Sequence, residues 1–331
     1  MHKRHLAISF VLLASFVLGC TPMISDGFLN AEERLNASSK HTRDAVRAQK
    51  SGDGRGAQSE LNAAVAARGG DTRARTEVAC LLIDFGCPDM ALEVMQPVLQ
   101  APETEVSPDA WSVLLTCAMK RDDQKLLMRA GASGIAACAA IAKGLEGENV
   151  GDRERAIMIN RAMDAITFLS NPVLKKPDDA IKMAELLVAF AKQSPLALSR
   201  CAVVYAELGG TPQLLSKAIT YAEDAILFAQ EQGVDSDIAS KLKDAAGWTR
   251  VLRGTSDDLA IARIVLRDAV DHAPTNPTYR YHMARLWEAT GLLDRAVVDY
   301  QRTLLLRPDD SECKQRLKSL LLRGALPRVI K

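Results

Sequence analysis

Between Pro277 and Asp310 the chain places large and small residues at fixed stations. Met283 and Ala284 come first, Trp287 follows one helical turn on, and Gly291 comes next; Ala296, Tyr300 and Thr303 follow, and Pro308 closes the unit. The preceding stretch, Ser240 to Pro274, repeats the parts as Ala246-Gly247, Gly254, Ala262, Leu266, Ala269 and Pro274. From Pro195 they recur as Cys201-Ala202, Tyr205, Gly209, Ala218, Ala222 and Ala225. Thr72 to Glu105 offers Val78-Ala79, Leu82, Gly86, Ala91, Met95 and Val98, and Ser38 to Asp71 a weaker set with Ala45, Ala48, Gly52, Ala57, Leu61 and Ala64. Such a pattern constrains the fold strongly. Small residues let two helices approach closely while large neighbours fill the gaps that remain. Glycine accepts the left-handed conformation that ends a first helix, and proline stops a second. A fixed period of this length signals stacked helix–turn–helix units. In the Ser240 and Pro195 units, Gly254–Ala262 and Gly209–Ala218 are spaced more widely than Gly291–Ala296, which predicts longer interhelix turns there.

The unit at Pro277–Asp310 resembles a tetratricopeptide repeat in its length and in the order of its residues. The resemblance implies an all-α, right-handed superhelical solenoid of helix–turn–helix repeats. After Pro308, the segment SECKQRLKSLLL puts Cys313, Leu317, Leu320 and Leu321 on one face, as a capping helix would. A further first helix begins at Ser107, but residues 121–194 lack clear repeat marks. They read as divergent repeats, with a separate helical insert as the alternative. Ala130 to Gly144 is so rich in small residues that close packing on another helix is expected, and Asn171-Pro172 and Lys176-Pro177 interrupt the helical runs.

The N-terminus carries a second signal. Lys3 and Arg4 precede an uncharged run from Leu6 to Leu18, then Gly19 and Cys20. That is the layout of an export signal, too short for the roughly 20 residues of a membrane-spanning helix. Val17-Leu18-Gly19-Cys20 resembles the lipobox of bacterial lipoproteins, with Leu18 bulkier than the usual residue. The resemblance implies cleavage before Cys20 and lipidation of its thiol. Thr21 in place of Asp implies sorting to the outer membrane, facing the periplasm. The expected organisation is therefore a signal peptide at 1–19, lipidated cysteine and tether at 20–37, repeats at 38–120, the divergent segment at 121–194, repeats at 195–310, and a cap and tail at 311–331.

Composition narrows the function. With 42 basic and 41 acidic residues there is no general argument for nucleic-acid binding. Aromatics at 5% and an apolar fraction of 48% rich in Ala and Leu favour closely packed helices. Six cysteines follow Cys20 (Cys80, Cys87, Cys117, Cys138, Cys201 and Cys313) with no CxxC, and most are expected as buried small hydrophobes. His41, His272 and His282 show no metal-ligand spacing, so no cofactor or metal is expected. The chain has no GxSxG and no P-loop; Gly52 to Gly56 (GDGRG) reads as a turn between repeat helices, and Asp257-Asp258 and Asp309-Asp310 as helix-start or post-repeat acids.

Binding is what remains, and the chain is not expected to be an enzyme. In the family resembled, first helices line the concave face where partner peptides lie. Carried over, this gives Tyr281, Arg285 and Glu288, then Asp244 and Trp248, Ser199 and Val203, and Arg73, Thr76 and Asp84. Trp248 and Tyr281 are the foremost candidates, as exposed aromatics that anchor partners. The paired-lysine carboxylate clamp of some members is not evident. The reading is a lipid-anchored adaptor or scaffold of the bacterial envelope, binding other envelope proteins or peptides. Similar proteins serve polysaccharide export or pilus and secretin assembly. The alternatives are an envelope enzyme using Glu146, Glu148 or Glu154, and a soluble periplasmic binding module.

Overall fold

The structure is a computed structural model that describes residues 31–102, 106–147, 150–308 and 310–325, with side chains from residue 35 onward. The leader, Cys20, Glu148 and Asp309 lie outside the described residues. Those described form fifteen α-helices, one 3-10 turn and no strand. The helices are α1 (Ala31–Lys50), α2 (Gly54–Ala67), α3 (Thr72–Asp84), α4 (Pro88–Gln100), α5 (Pro108–Lys120), α6 (Gln124–Leu145), α7 (Asp152–Leu169), α8 (Pro177–Phe190), α9 (Pro195–Leu208), α10 (Pro212–Gln232), α11 (Ser236–Arg253), α12 (Ser256–His272), α13 (Pro277–Ala289), α14 (Leu293–Leu306) and α15 (Ser311–Leu322). The chain is all-α and built of successive helix pairs joined by short turns. It divides into two compact units with the boundary in α6, after Gly134.

Local chemistry sets the helix limits. Ser107-Pro108, Ser194-Pro195, Thr211-Pro212 and Asn276-Pro277 each place a side chain that accepts a backbone N–H at the cap, with proline in the first turn. There proline's missing N–H costs nothing and its fixed φ suits the helix. Gly86, Gly254 and Gly291 hold left-handed φ values of 74°, 75° and 76° at the first-helix ends, and Gly52 one of 82° in the expected turn. In the Pro195 unit the left-handed residue is Gly210, not Gly209.

The two long turns expected from the sequence are absent. Gly254 and Thr255 alone separate α11 from α12, because Thr255 caps a helix that starts earlier and runs 17 residues. Likewise α10 begins at Pro212 and runs 21 residues. The extra residues lengthen the second helices.

In the first unit, α1 and α2 are joined by Ser38 Oγ donating to the Ala64 carbonyl at 2.9 Å and by Arg68 Nε donating to Ser38 Oγ at 2.8 Å. Val78, Ala79, Leu82, Ala91, Met95, Leu114 and Leu115 are wholly buried. α6 has the length and apolar composition of a membrane span. Its polar groups nevertheless engage protein: Arg129 donates to the Leu99 carbonyl at 2.7 Å, and in the second unit Cys138 Sγ lies 3.8 Å from the Ala165 carbonyl. Its small residues divide, with Ala130 buried and Ala132, Ala136 and Ala140 exposed.

In the second unit α8 packs on α7 and on α9, so helix pairing runs through the segment without clear repeat marks. One core there joins Leu266, Ala269, Met283, Ala284, Trp287, Ala296, Val297, Tyr300, Cys313 and Leu320. Ala202, Ala222 and Ala246 form a second, small-residue cluster where α9, α10 and α11 meet. The six described cysteines form no disulfide, and Cys117, Cys138, Cys201 and Cys313 are buried. Cys201 Sγ donates to the Ala184 carbonyl at 3.2 Å and Cys313 Sγ to that of Tyr300 at 3.4 Å. Burial pushes both thiols up to about 12, which keeps them protonated.

Candidate interaction surface

On the second unit, side chains from α9, α11, α13 and α15, the first helices of successive pairs, meet in one network. Trp248 stands at its centre. Its indole stacks on His282, with ring centroids 4.3 Å apart and planes 8° from parallel. Its Nε1–H donates to Glu207 Oε1 of α9 at 2.8 Å. His282 Nδ1 in turn lies 2.9 Å from Asp244 Oδ2. Trp248 thus ties three first helices together and is only 5% exposed. The expectation of an exposed aromatic fails here. The next first helix covers the ring, and the polar edge is already satisfied. Asp244, at 6% exposure, is buried by the same contact.

Tyr281 is partly buried, and its hydroxyl donates to Glu312 Oε1 of α15 at 2.6 Å. Arg285 lies over both aromatic rings, its guanidinium carbon 5.4 Å from the Trp248 centroid and 6.0 Å from that of Tyr281. It also donates to the Tyr281 oxygen at 3.2 Å. Glu288 Oε2 accepts from Tyr300 at 2.6 Å and from Arg316 at 3.3 Å. Arg316 Nε donates to Glu312 at 3.0 Å. Burial works to raise the Glu312 pKa, but hydrogen bonds from Tyr281 and Arg316 and the charges of Arg316 and Arg285 outweigh it and hold the carboxyl below its usual range. The result is a charged, solvent-reaching lattice over an aromatic floor. Arg285, Glu288 and Arg316 are among its partly exposed members, while Glu207 and Glu312 are exposed.

Of the other positions, Val203 is partly buried against the large core, and Ser199 is buried at 8% exposure. In the first unit Arg73 is exposed on α3, its Nε 3.1 Å from Glu77 Oε1. Glu77 also pairs with Arg68. Thr76 is buried at 1% exposure, its hydroxyl donating to the Thr72 carbonyl at 2.8 Å, and Asp84 is exposed. Nearby on α5, burial and then the Glu77 charge raise the Asp109 carboxyl above its usual range.

Reading by repeat position missed the joining members, Glu207, His282, Glu312 and Arg316. His282 had a signal in the sequence: it adjoins Tyr281 on the helix face that meets α11. The three described histidines, of five in the chain, each face a carboxylate: beside His282, His41 that of Glu60 at 2.6 Å and His272 that of Asp237 at 2.7 Å. Among the described residues no group of three or more His, Cys, Asp or Glu is placed to hold a metal ion. Glu146 and Glu154 are exposed.

No protein-family model matches the chain, and no curated protein matches it. Among solved structures it is similar to the APC/C hetero-tetramer Cut9–Hcn1, with 12% identity and a TM-score of 0.39 over 97% of this chain. That match covers 64% of the other chain, so the present chain spans under two thirds of its length. It is also similar to the P58(IPK) TPR domain, with 14% identity and a TM-score of 0.28 over 87% of this chain and 99% of that one. At these values the likeness does not reach individual residues.

Proposed function

We propose that the protein is a non-catalytic interaction scaffold, and that the first-helix face of α9, α11, α13 and α15 holds its partner. The supporting observation is the lattice over Trp248. It spans four successive first helices and presents alternating acids and arginines, which suits a segment of polypeptide with many hydrogen-bonding groups. A charged rim around an aromatic floor is the anatomy of many protein interfaces. In this reading Cys20 carries lipid, so that the scaffold is tethered in the bacterial envelope at the outer membrane. The eleven Lys/Arg against six Asp/Glu from Pro277 to Lys331 favour an anionic neighbour there, in keeping with a role in polysaccharide export or in secretin assembly.

The test is a photo-crosslinking residue placed at Arg285, or at the exposed Ile264 of α12 as a control, in native cells. A specific envelope protein crosslinked from position 285 alone, and weakened by Glu288→Ala, supports the reading. Equal capture from both positions refutes the proposed face. Cys20→Ser tests the anchor separately: a tethered protein loses its acyl mass and leaves the membrane fraction, whereas an unlipidated one keeps its location.

A further inference from the structure

Among the described residues no helix follows α15, and the repeat period shows which of its positions a second helix would cover. Positions of α13 recur in α15 after 34 residues: Tyr279 as Cys313, Arg280 as Lys314, Met283 as Leu317, Ala284 as Lys318 and Trp287 as Leu321. By the same period Val270 of α12 recurs as Leu304 of α14. In the complete pair these positions form a socket filled by α14. Met283, Ala284, Trp287 and Val270 are 4%, 0%, 5% and 5% exposed. Arg280 reaches Asp299 Oδ1 at 3.3 Å, and Trp287 Nε1 donates to Asp299 Oδ2 at 3.0 Å. One period later, Leu304, Lys314, Leu317, Lys318, Leu321 and Leu322 line an apolar cleft. Leu321 is 44% exposed and Leu322 80%. The cleft repeats the positions of that socket, and no described helix lies over it.

We propose that this socket docks an amphipathic helix from a partner protein, with a small or aliphatic stripe and an acidic residue beside it. The site is separate from the first-helix face and would extend the array by one helix in trans. The charge argument comes from the filled socket, where Asp299 of α14 meets Arg280: the charged residues lining the cleft, Lys314 and Lys318, are both basic, and Lys318 lies beside Leu317. A second copy is a poor occupant. Self-pairing of this face brings Lys314 and Lys318 of both copies together, and the sole acid of α15, Glu312, is engaged by Tyr281 and Arg316. The segment at 326–331 is also ill-matched, since its charges, Arg328 and Lys331, are both basic. Helix-in-groove recognition reads anchors at i, i+3, i+4 and i+7, the spacing that Leu293–Leu306 itself carries as Ala296, Tyr300 and Thr303 within α14.

The experiment uses a side-chain cross-linked helical peptide of sequence Leu293–Leu306, fluorescently labelled, titrated with the full chain. Saturable binding is expected, weakened at least tenfold by Leu321→Glu in the protein or by a lysine in place of the peptide's Asp299. The lysine peptide should regain affinity for a Lys314→Glu/Lys318→Glu protein. An unchanged circular dichroism spectrum for Leu321→Glu, a half-exposed position, excludes unfolding. Absence of binding, or binding indifferent to Leu321→Glu, overturns the proposal. So do binding that emerges only when 326–331 is deleted, a dimer that Leu321→Glu dissociates, and adsorption to anionic phosphatidylglycerol vesicles without peptide binding.

Discussion

Replacing Gly247 by alanine sets two effects of similar size against each other, and the structure decides between them. Gly247 lies inside α11, where alanine would be favoured by helix propensity by about 1 kcal/mol. A Cβ there would stand 2.5 Å from Leu266 Cγ, 2.7 Å from Leu266 Cδ2 and 3.1 Å from Val265 Cγ2. Carbon pairs are comfortable at about 3.5–4.0 Å, so the methyl overlaps Leu266 by roughly 1 Å. Leu266 is wholly buried, and the nearest atom is its branch carbon rather than a flexible tip. Overpacking of this kind costs about 1–3 kcal/mol, which exceeds the propensity gain. Gly247→Ala should therefore destabilise by about 1 kcal/mol, lowering Tm by about 2–4 °C for a unit of this size. Urea unfolding of the single and double variants completes the case. Leu266→Ala alone should cost about 2–4 kcal/mol through the cavity it opens. In the Gly247→Ala background that cost should fall by about 1 kcal/mol, because the added methyl then has room. A stabilised Gly247→Ala protein, or strict additivity of the two changes, would refute the close approach of α11 and α12.

Three other variants probe the remaining chemistry. Trp248→Phe keeps a ring against His282 but removes the Nε1–H donated to Glu207, and should cost about 1–2 kcal/mol in urea unfolding; an unchanged midpoint would show that the bond is not made. Asp258 is buried beside Arg253, which donates to both its oxygens at 2.6 Å, so Asp258→Asn should cost about 3 kcal/mol at pH 7. Burial works to raise the Asp258 pKa, but the hydrogen bonds from Arg253 and Thr255 outweigh it, leaving the folded value below the unfolded one. The stabilisation is complete above about pH 4, the ordinary carboxylate range, and is lost as pH falls through the folded value. The gap between wild type and Asp258→Asn should thus narrow in acid; a gap that widens contradicts the sign. Iodoacetamide at pH 8 should label Cys87 well before Cys138, Cys201 or Cys313, whose thiols burial pushes up to about 12, leaving about one thiolate in ten thousand. Mass spectrometry showing Cys201 labelled as fast as Cys87 would argue against its burial.

What could be read beforehand follows from what each signal measures. The small residues of the period were legible because each marks a helix contact with no room for more: Ala79, Ala91, Ala202, Ala222, Ala246, Ala262, Ala284 and Ala296 are all wholly buried. The lengths of the second helices were not legible from that period. A glycine such as Gly254 marks where a first helix ends, whereas the next helix begins at its own cap. That cap was present in the sequence, as Thr255 with Asp258 three residues on, and as Thr211-Pro212. Reading caps as well as glycines would have placed both helices correctly.

The exposure of Trp248 required information of another kind. Its position within a repeat places it on a first helix, α11. Whether a large side chain there reaches solvent depends on the residues at the equivalent level of the flanking first helices. Glu207 lies 41 residues before Trp248 and His282 comes 34 after it, and both are polar groups that nothing in the period requires. Once they are present, the indole gains a hydrogen bond on one side and a stacked ring on the other, and Arg285 lies over it. Such a floor is rigid and already satisfied. A partner gains little by displacing the tryptophan and more by exchanging hydrogen bonds with the exposed ends of the lattice. Substitutions at Arg285, Glu288 and Glu312 should therefore alter partner affinity with modest cost to folding, whereas Trp248→Ala should act first on stability, by about 3–5 kcal/mol. Paired binding and urea measurements on the same variants separate the two; equal losses of affinity at fixed stability from Trp248→Ala and Arg285→Ala would put the indole itself in contact with the partner.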